Sequence, residues 1–179
     1  MREQEAYLKK GQQKETLGAV NLEIDNLRAG WYWAVANRRE EDFEKYREGL
    51  FLVHNVQSWF QEGEAVFRHA AARLRKAKEK AGSDRQIDKM LGHVLARQGV
   101  FCASLGQYDQ ARAVMQEGLA IFQDAVLRQN APLSLNYLAA VAWALGEYVE
   151  AKQLCQESLI ITERWAIAGN RRSFWNTWV

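Results

Sequence analysis

Ser104-Leu-Gly-Gln-Tyr108-Asp-Gln-Ala111-Arg112 runs on to Gln116-Glu117-Gly-Leu119-Ala-Ile121. Forty residues later the chain repeats it as Ala144-Leu-Gly-Glu-Tyr148-Val-Glu-Ala151-Lys152, through Gln156-Glu157-Ser-Leu159-Ile-Ile161. Between 104 and 122, eight of nineteen positions are identical to their counterparts, and Arg112/Lys152 keeps its charge. A fixed internal period marks a row of like units rather than one closed core. Each copy has the same physical logic. An apolar helix ends at Leu-Gly, the glycine lets the backbone turn, a tyrosine plugs the bend, and a small residue (Ala111 or Ala151) lets the second helix approach closely.

Outward from this stretch, Ile87, Leu91, Val94, Leu95, Gln98 and Cys102 recur at three-and-four spacing and predict a helix over about 85–104. Pro132 suits a first helical turn, and Leu135, Leu138, Ala139, Ala142 and Trp143 supply the stripe of the helix behind it. A weaker copy lies 48 residues upstream of the first. Phe60 stands where Tyr108 does, Gly63 where Ala111 does, and Phe67 and Ala70 match Met115 and Gly118. The eight extra residues are assigned to the charged stretch Lys76–Asp84. A helix over about 18–36 precedes this copy and is broken at Asn37-Arg38-Arg39-Glu40, and a short helix is expected before Gly11. After Gly169-Asn170 a further helix begins at Arg171, with Phe174, Trp175 and Trp178 on one side.

Composition narrows the class. The 179 residues hold one proline, much Ala, Leu, Glu, Gln, Arg and Lys, and few β-branched runs, which favours helix throughout. Lys+Arg of 24 against Asp+Glu of 22 gives a net charge of +2, too mild to argue for nucleic acid. No apolar run reaches the roughly 18–20 residues of a membrane span, and the charged N-terminus lacks a signal-peptide core. Two cysteines, Cys102 and Cys155, on apolar helical positions suit a reduced compartment. The expectation is a cytoplasmic protein.

The pattern Leu105-Gly-x-Tyr108-x-x-Ala111, repeated as Leu145-Gly-x-Tyr148-x-x-Ala151, resembles the tetratricopeptide repeat, and Gly99 falls where that family keeps a glycine in its first helix. The period of 40 exceeds the family's usual length of about 34. Leu95 and Leu135 stand in place of its signature tryptophan, and the proline that closes its second helix is missing. The longer period is similar to that of bacterial signal-transduction ATPases of the STAND, MalT-like kind. Leu22-Glu-Ile-Asp25-Asn26-Leu27-Arg28-Ala29, with Trp31 and Trp33-Ala34, resembles the segment that opens the repeat region of those regulators. Trp59-Phe-Gln-Glu-Gly63-x-x-x-Phe67 is similar to their first hairpin. The resemblance implies an all-α superhelix of about seven or eight helices in antiparallel pairs. It implies one repeat domain over 1–179: N-terminal helices at 18–57, hairpins at 44–80, 92–130 and 132–168, and an unpaired helix starting at 171–179, the whole a piece of a longer protein. No Gly-x-x-x-x-Gly-Lys-Ser/Thr occurs, so no phosphate-binding loop of that type is present.

On that family's geometry the first helix of each hairpin lines a groove. The implied groove positions are Glu48, Leu52 and Asn55; then His93, Ala96, Arg97 and Val100; then Asn136, Tyr137, Ala140 and Trp143. His93, Arg97 and Asn136 would offer donors to a carboxylate or carbonyl, and Tyr137 and Trp143 stacking surfaces. The plainer account is that these residues solvate one face, with Trp143 packing onto the next helix. Arg73, Arg75, Lys76, Lys78 and Lys80 could meet phosphates, but cations at a helix C-terminus also complement its dipole. His54, His69 and His93 are isolated, so no metal site is expected, and His54 reads as a half-buried packing ring. Glu23 and Asp25 point to different faces of a helix and do not make a catalytic pair.

The expected function is therefore non-catalytic binding, with no cofactor. The partner would be a protein or peptide, or a small polar effector, in the groove of a sensor or scaffold segment. The alternative is a stand-alone adaptor that forms a homodimer through Phe174, Trp175 and Trp178, which could equally make an inter-repeat contact. A nucleic-acid-binding helical repeat ranks below both.

Overall fold

The computed structural model describes residues 24–82, 84–124 and 127–167. The expected short helix before Gly11, the start of the helix at 18, and Phe174, Trp175 and Trp178 lie outside the described residues. Among those described, the structure is all-α. A helix over 24–37 (α1) is followed by α2 (Glu40–Val56), α3 (Phe60–Ala81), α4 (Arg85–Ser104), α5 (Tyr108–Ile121), a 3-10 turn at Arg128–Asn130, α6 (Ala131–Ala144) and α7 (Tyr148–Ile167). The chain divides into two compact units, residues 1–53 and 54–179.

The joint that decided the fold recurs in detail. After α4, the Gly106 amide donates to the Ala103 carbonyl and the Gln107 amide to the Cys102 carbonyl, at 3.0 and 2.9 Å. After α6, Gly146 donates to Trp143 and Glu147 to Ala142 at the same two distances. This paired arrangement caps the last carbonyls of a helix and requires a left-handed residue. Gly106 and Gly146 supply it, with φ of 75° and 81°. The weaker copy uses the same bonds without a glycine: Ser58 donates to Asn55, Trp59 to His54, and Ser58 takes φ 57°. Between α1 and α2, Arg38 takes φ 54° while Arg39 donates to Ala34. Thus three joints share both bonds, the Arg38 joint shares the second of them and the left-handed residue, and each following helix starts two residues past that residue.

Helix ends follow local chemistry. The Asp84 carboxylate caps α4 by accepting from the Gln86 and Ile87 amides at 2.9 and 3.3 Å. Pro132 lies in the first turn of α6, as expected. The charged stretch assigned the extra residues is helical through Ala81, and α3 has 22 residues where α5 has 14.

In residues 24–53, Trp31 of α1 stacks on Phe43 of α2 at 5.1 Å, both fully buried, and Gly30 lies against the Tyr46 ring. In residues 54–179, α3 packs on α4, α4 on α5, α5 on α6 and α6 on α7, while α4 also touches α6. The predicted stripe of α4 is buried in full: Ile87, Leu91, Val94, Leu95, Gln98 and Cys102. Small residues set the closest crossings. A Cβ on Gly118 would stand 3.1 Å from the Gly92 carbonyl oxygen and 3.2 Å from the Leu95 Cβ, and one on Gly63 would stand 2.7 Å from the Phe101 ring. Each buried Phe or Leu adds roughly 1.5–3 kcal/mol to such a stack.

Several expectations need correction. His54 is fully buried rather than half-buried, its ring edge-on to Trp59 and Phe101 at 6.3 Å from each. Trp143, assigned to the stripe of α6, is 66 % exposed, because the side of that turn that packs on α7 carries Ala142, buried with Ala139 and Ala151, and Trp143 lies outside it. Tyr148 does not plug its bend as Tyr108 does: it is 59 % exposed, whereas Tyr108 packs against Cys102 and Met115. Cys102 is buried but Cys155 is exposed.

Candidate functional site: the α4/α6 face

Positions 97 and 137 are equivalents in successive copies, and the structure brings them together. Arg97 Nη1 donates to the Tyr137 hydroxyl at 2.5 Å, and its guanidinium lies over the Tyr137 ring at 5.8 Å. Arg97 is only 6 % exposed. Its charge is thereby tied to the junction of α4 with α6, in a geometry that suits a planar guanidinium. Tyr137 is half-buried and also packs on the Cys102–Met115–Leu138 cluster. The pair therefore fixes how α4 meets α6 as well as offering a polar edge.

The other groove candidates divide by exposure. His93 is half-buried with its ring 5.3 Å from that of Phe122, and Val100 is half-buried against the Cys102 cluster. Ala96 is buried. On α6, Asn136, Ala140 and Trp143 are exposed. Trp143 meets Tyr148 edge-on at 4.8 Å, so two exposed aromatic rings stand together at the α6/α7 joint. Asn55 is exposed on the last turn of α2, where its backbone carbonyl caps the turn. Within α2, Glu48 is half-buried and accepts from Arg47, and Leu52 is exposed. Chemically, the α6 side of this face presents an amide, two aromatic rings and an alanine shelf, which suit stacking and hydrogen bonding rather than bond-breaking.

The basic cluster is partly neutralised. Arg75 donates through Nε and Nη2 to both carboxylate oxygens of Glu117, at 2.8 and 2.6 Å, and this bond drives its pKa upward. Lys78 pairs with Asp88 at 2.6 Å. Such pairing across helices explains much of the cluster without phosphate.

One buried polar group escaped the sequence reading. Glu64 of α3 is largely buried, with Oε1 accepting from Gln98 Nε2 at 3.0 Å and Oε2 from Arg68 Nε at 3.2 Å. Gln98 inside an otherwise apolar stripe was the available signal, since a buried amide demands a polar partner. Burial, then the nearby Glu64 charge, pushes the Cys102 thiol up to about 11. Cys102 is accordingly a packing residue and not a reactive thiol. Among the described residues, no three His, Cys, Asp or Glu side chains gather where a metal could sit, and no helix is long and apolar enough to cross a membrane.

Residues 133–164 match the tetratricopeptide repeat. The matched segment spans most of α6, the Gly146 joint and most of α7, and so contains the second Leu-Gly-x-Tyr-x-x-Ala joint. Among solved structures, the crystal structure of BtubC (BKLC) from P. vanneervenii is similar, with a TM-score of 0.58 and 18 % sequence identity over 78 % of this chain. This chain spans 57 % of that one, and at such identity the likeness shows the fold alone. No curated protein matches. The architecture is therefore tetratricopeptide-like: helices packed in sequential antiparallel pairs, with one clear repeat at 133–164.

Proposed function

We propose that this chain is a non-catalytic interaction scaffold that holds a protein or peptide segment, or a small polar effector, on its α4/α6 face. The observation that carries this reading is the repeat at 133–164, whose first helix α6 carries the exposed Asn136 and Trp143 and a Tyr137 bonded to Arg97 of α4. Arg97 and Tyr137 set the spacing of α4 and α6, Asn136 offers both a donor and an acceptor, and Trp143 with Tyr148 offers aromatic surface. We further propose that the scaffold is the sensor segment of a bacterial signal-transduction or transcriptional regulator of the STAND, MalT-like kind. The support is the resemblance of residues 22–34 and 59–67 to the opening of the repeat region in those proteins. Binding would act by favouring one of two arrangements of the parent protein, through differential affinity for them.

A thermal-shift screen with extended peptides, each in free-carboxylate and amidated form, and with oligosaccharides tests the face directly. A ligand that raises the melting temperature should lose about tenfold or more in affinity on Asn136→Ala and Trp143→Ala. Both are surface positions, so folding is left intact. A hit indifferent to both substitutions would remove this face from consideration.

A further inference from the structure

α5 and α7 are the second helices of successive hairpins, yet equivalent sides of them have different neighbours. On α5 that side carries Arg112, Met115, Leu119 and Phe122. Met115 and Leu119 pack with Leu138 and Val141 of α6, Phe122 packs with Leu135, and Arg112 pairs with Glu147 and Glu150. Forty residues on, the same side of α7 carries Lys152, Cys155 and Leu159, all exposed, with Ile160 beside them at 48 % exposure. The packing of α7 is onto α6 and the 3-10 turn at Arg128–Asn130. Apolar surface gathered along one open side of a helix marks an interaction site.

The charges along this side identify the occupant. Lys152, Gln156, Leu159 and Glu163 follow one another at steps of four, three and four residues, which lines them along one side of α7. All four are exposed, and Val149 and Ala166, also exposed, extend the line at its two ends. Neither Lys152 nor Glu163 has an ion-pair partner among the described residues. The line opens on a cation and closes on an anion, so it is complementary to itself read backwards. An antiparallel second α7, on a two-fold axis passing between Glu157 and Ser158, sets Lys152 against Glu163 of the partner subunit. The same axis sets Gln156 against Leu159 of the partner subunit and Val149 against Ala166 of the partner subunit, each contact occurring twice. A parallel copy would instead oppose like charges at both ends. We infer that this side of α7 is a homodimer interface, two copies meeting antiparallel through Leu159 and Ile160, with paired Lys152 and Glu163 setting the direction. The polar Gln156 within the line fixes the register, as a polar residue does in a helical seam. One helix pair buries less than the roughly 1,200–2,000 Å² of a stable interface, so the dimer is weak and reversible. The interface uses none of the residues assigned to the α4/α6 face and is independent of what that face holds.

Sedimentation velocity of the full chain, with reductant present so that the exposed Cys155 forms no disulfide, reads the association directly. Over about a hundredfold range of micromolar concentrations, the protein should pass from monomer to dimer and go no further. Leu159→Glu should raise the dissociation constant at least about tenfold. Lys152→Glu and Glu163→Lys each place like charges at both ends of the interface, and each should weaken self-association by about tenfold. An equimolar mixture of these two variants should associate as the native chain does, because each brings the charge that the other lacks. The substituted positions are exposed, and unchanged circular dichroism and melting of the dilute variants confirm that the fold is kept. A chain that stays monomeric throughout, or a dimer indifferent to Leu159→Glu, would overturn the proposal. So would a mixture of the charge variants no more associated than either alone, or assemblies that grow beyond the dimer, since a head-to-tail contact does not close.

Discussion

The α4/α5 and α6/α7 hairpins share a joint down to the individual backbone hydrogen bonds, yet equivalent residues live in different surroundings. Met115 is buried against Gly99 and the α6 cluster, whereas Cys155 is exposed; Leu119 is half-covered and Leu159 largely bare. Local geometry is thus encoded within each copy, and burial is conferred by the copy that follows. That separation explains why Gly106 and Gly146 look alike while Tyr108 and Tyr148 do not.

The largest test of this contrast swaps matched positions. Met115→Ala should cost ~2–4 kcal/mol in denaturant unfolding, because the side chain fills the space between Gly99 and α6 and the gap cannot close freely. Cys155→Ala should change stability by less than ~0.5 kcal/mol, as for exposed positions generally. Similar costs at both sites would mean that the two copies are packed alike, and the contrast would collapse.

How much of this could be read from residues alone follows the same division. The Leu-Gly-x-Tyr-x-x-Ala joints, the stripe of α4 and the Pro132 start of α6 were legible, because each is dictated by neighbours in sequence. The left-handed joints at Arg38 and Ser58 were not, since neither residue advertises a positive φ; only the hydrogen bonds reveal them. The burial of Arg97 was hidden for another reason. Helical spacing tells which side of α4 it occupies, but its partner Tyr137 lies forty residues away on α6. Trp143 failed in the opposite direction: spacing placed it on the apolar stripe, but the residue of that turn that α7 covers is its neighbour Ala142, packed on Ala151.

A second, somewhat smaller effect sharpens the comparison through pH. Position 102 holds a cysteine where the next copy holds Ala142, and both are buried. In the unfolded chain the thiol ionises around its ordinary value of 9.0, whereas in the fold burial and Glu64 push it up to about 11. Above 9 the folded state therefore retains a proton that the unfolded state releases. This contribution to stability is intact below pH 9 and is lost progressively as the pH rises toward 11. The loss amounts to about 2–3 kcal/mol at full ionisation. Cys102→Ala imports the neighbouring copy's residue and should remove that part of the alkaline destabilisation. Urea unfolding of the two proteins at pH 8 and pH 10.5 measures the difference; parallel losses in both would place the thiol in a solvated site.

The smallest effect concerns the joints themselves, where the first copy departs from the later two. Gly106 has φ of 75° and nothing within 4 Å of an added Cβ, so Gly106→Ala incurs only the backbone strain of a left-handed alanine, about 1 kcal/mol. Ser58 already bears a strain of that kind at φ 57°. Ser58→Gly relieves it, offset by the greater freedom of glycine in the unfolded chain, and should stabilise the protein by a few tenths up to ~1 kcal/mol. The two substitutions are mirror images: one gives a late joint the early joint's handicap, and the other gives the early joint the late joint's residue. Opposite signs in matched melting experiments would show that all of these joints draw on the same backbone conformation. A destabilising Ser58→Gly would instead assign the serine hydroxyl a structural role at that bend, and the equivalence of the first copy with the later two would stop at the backbone trace.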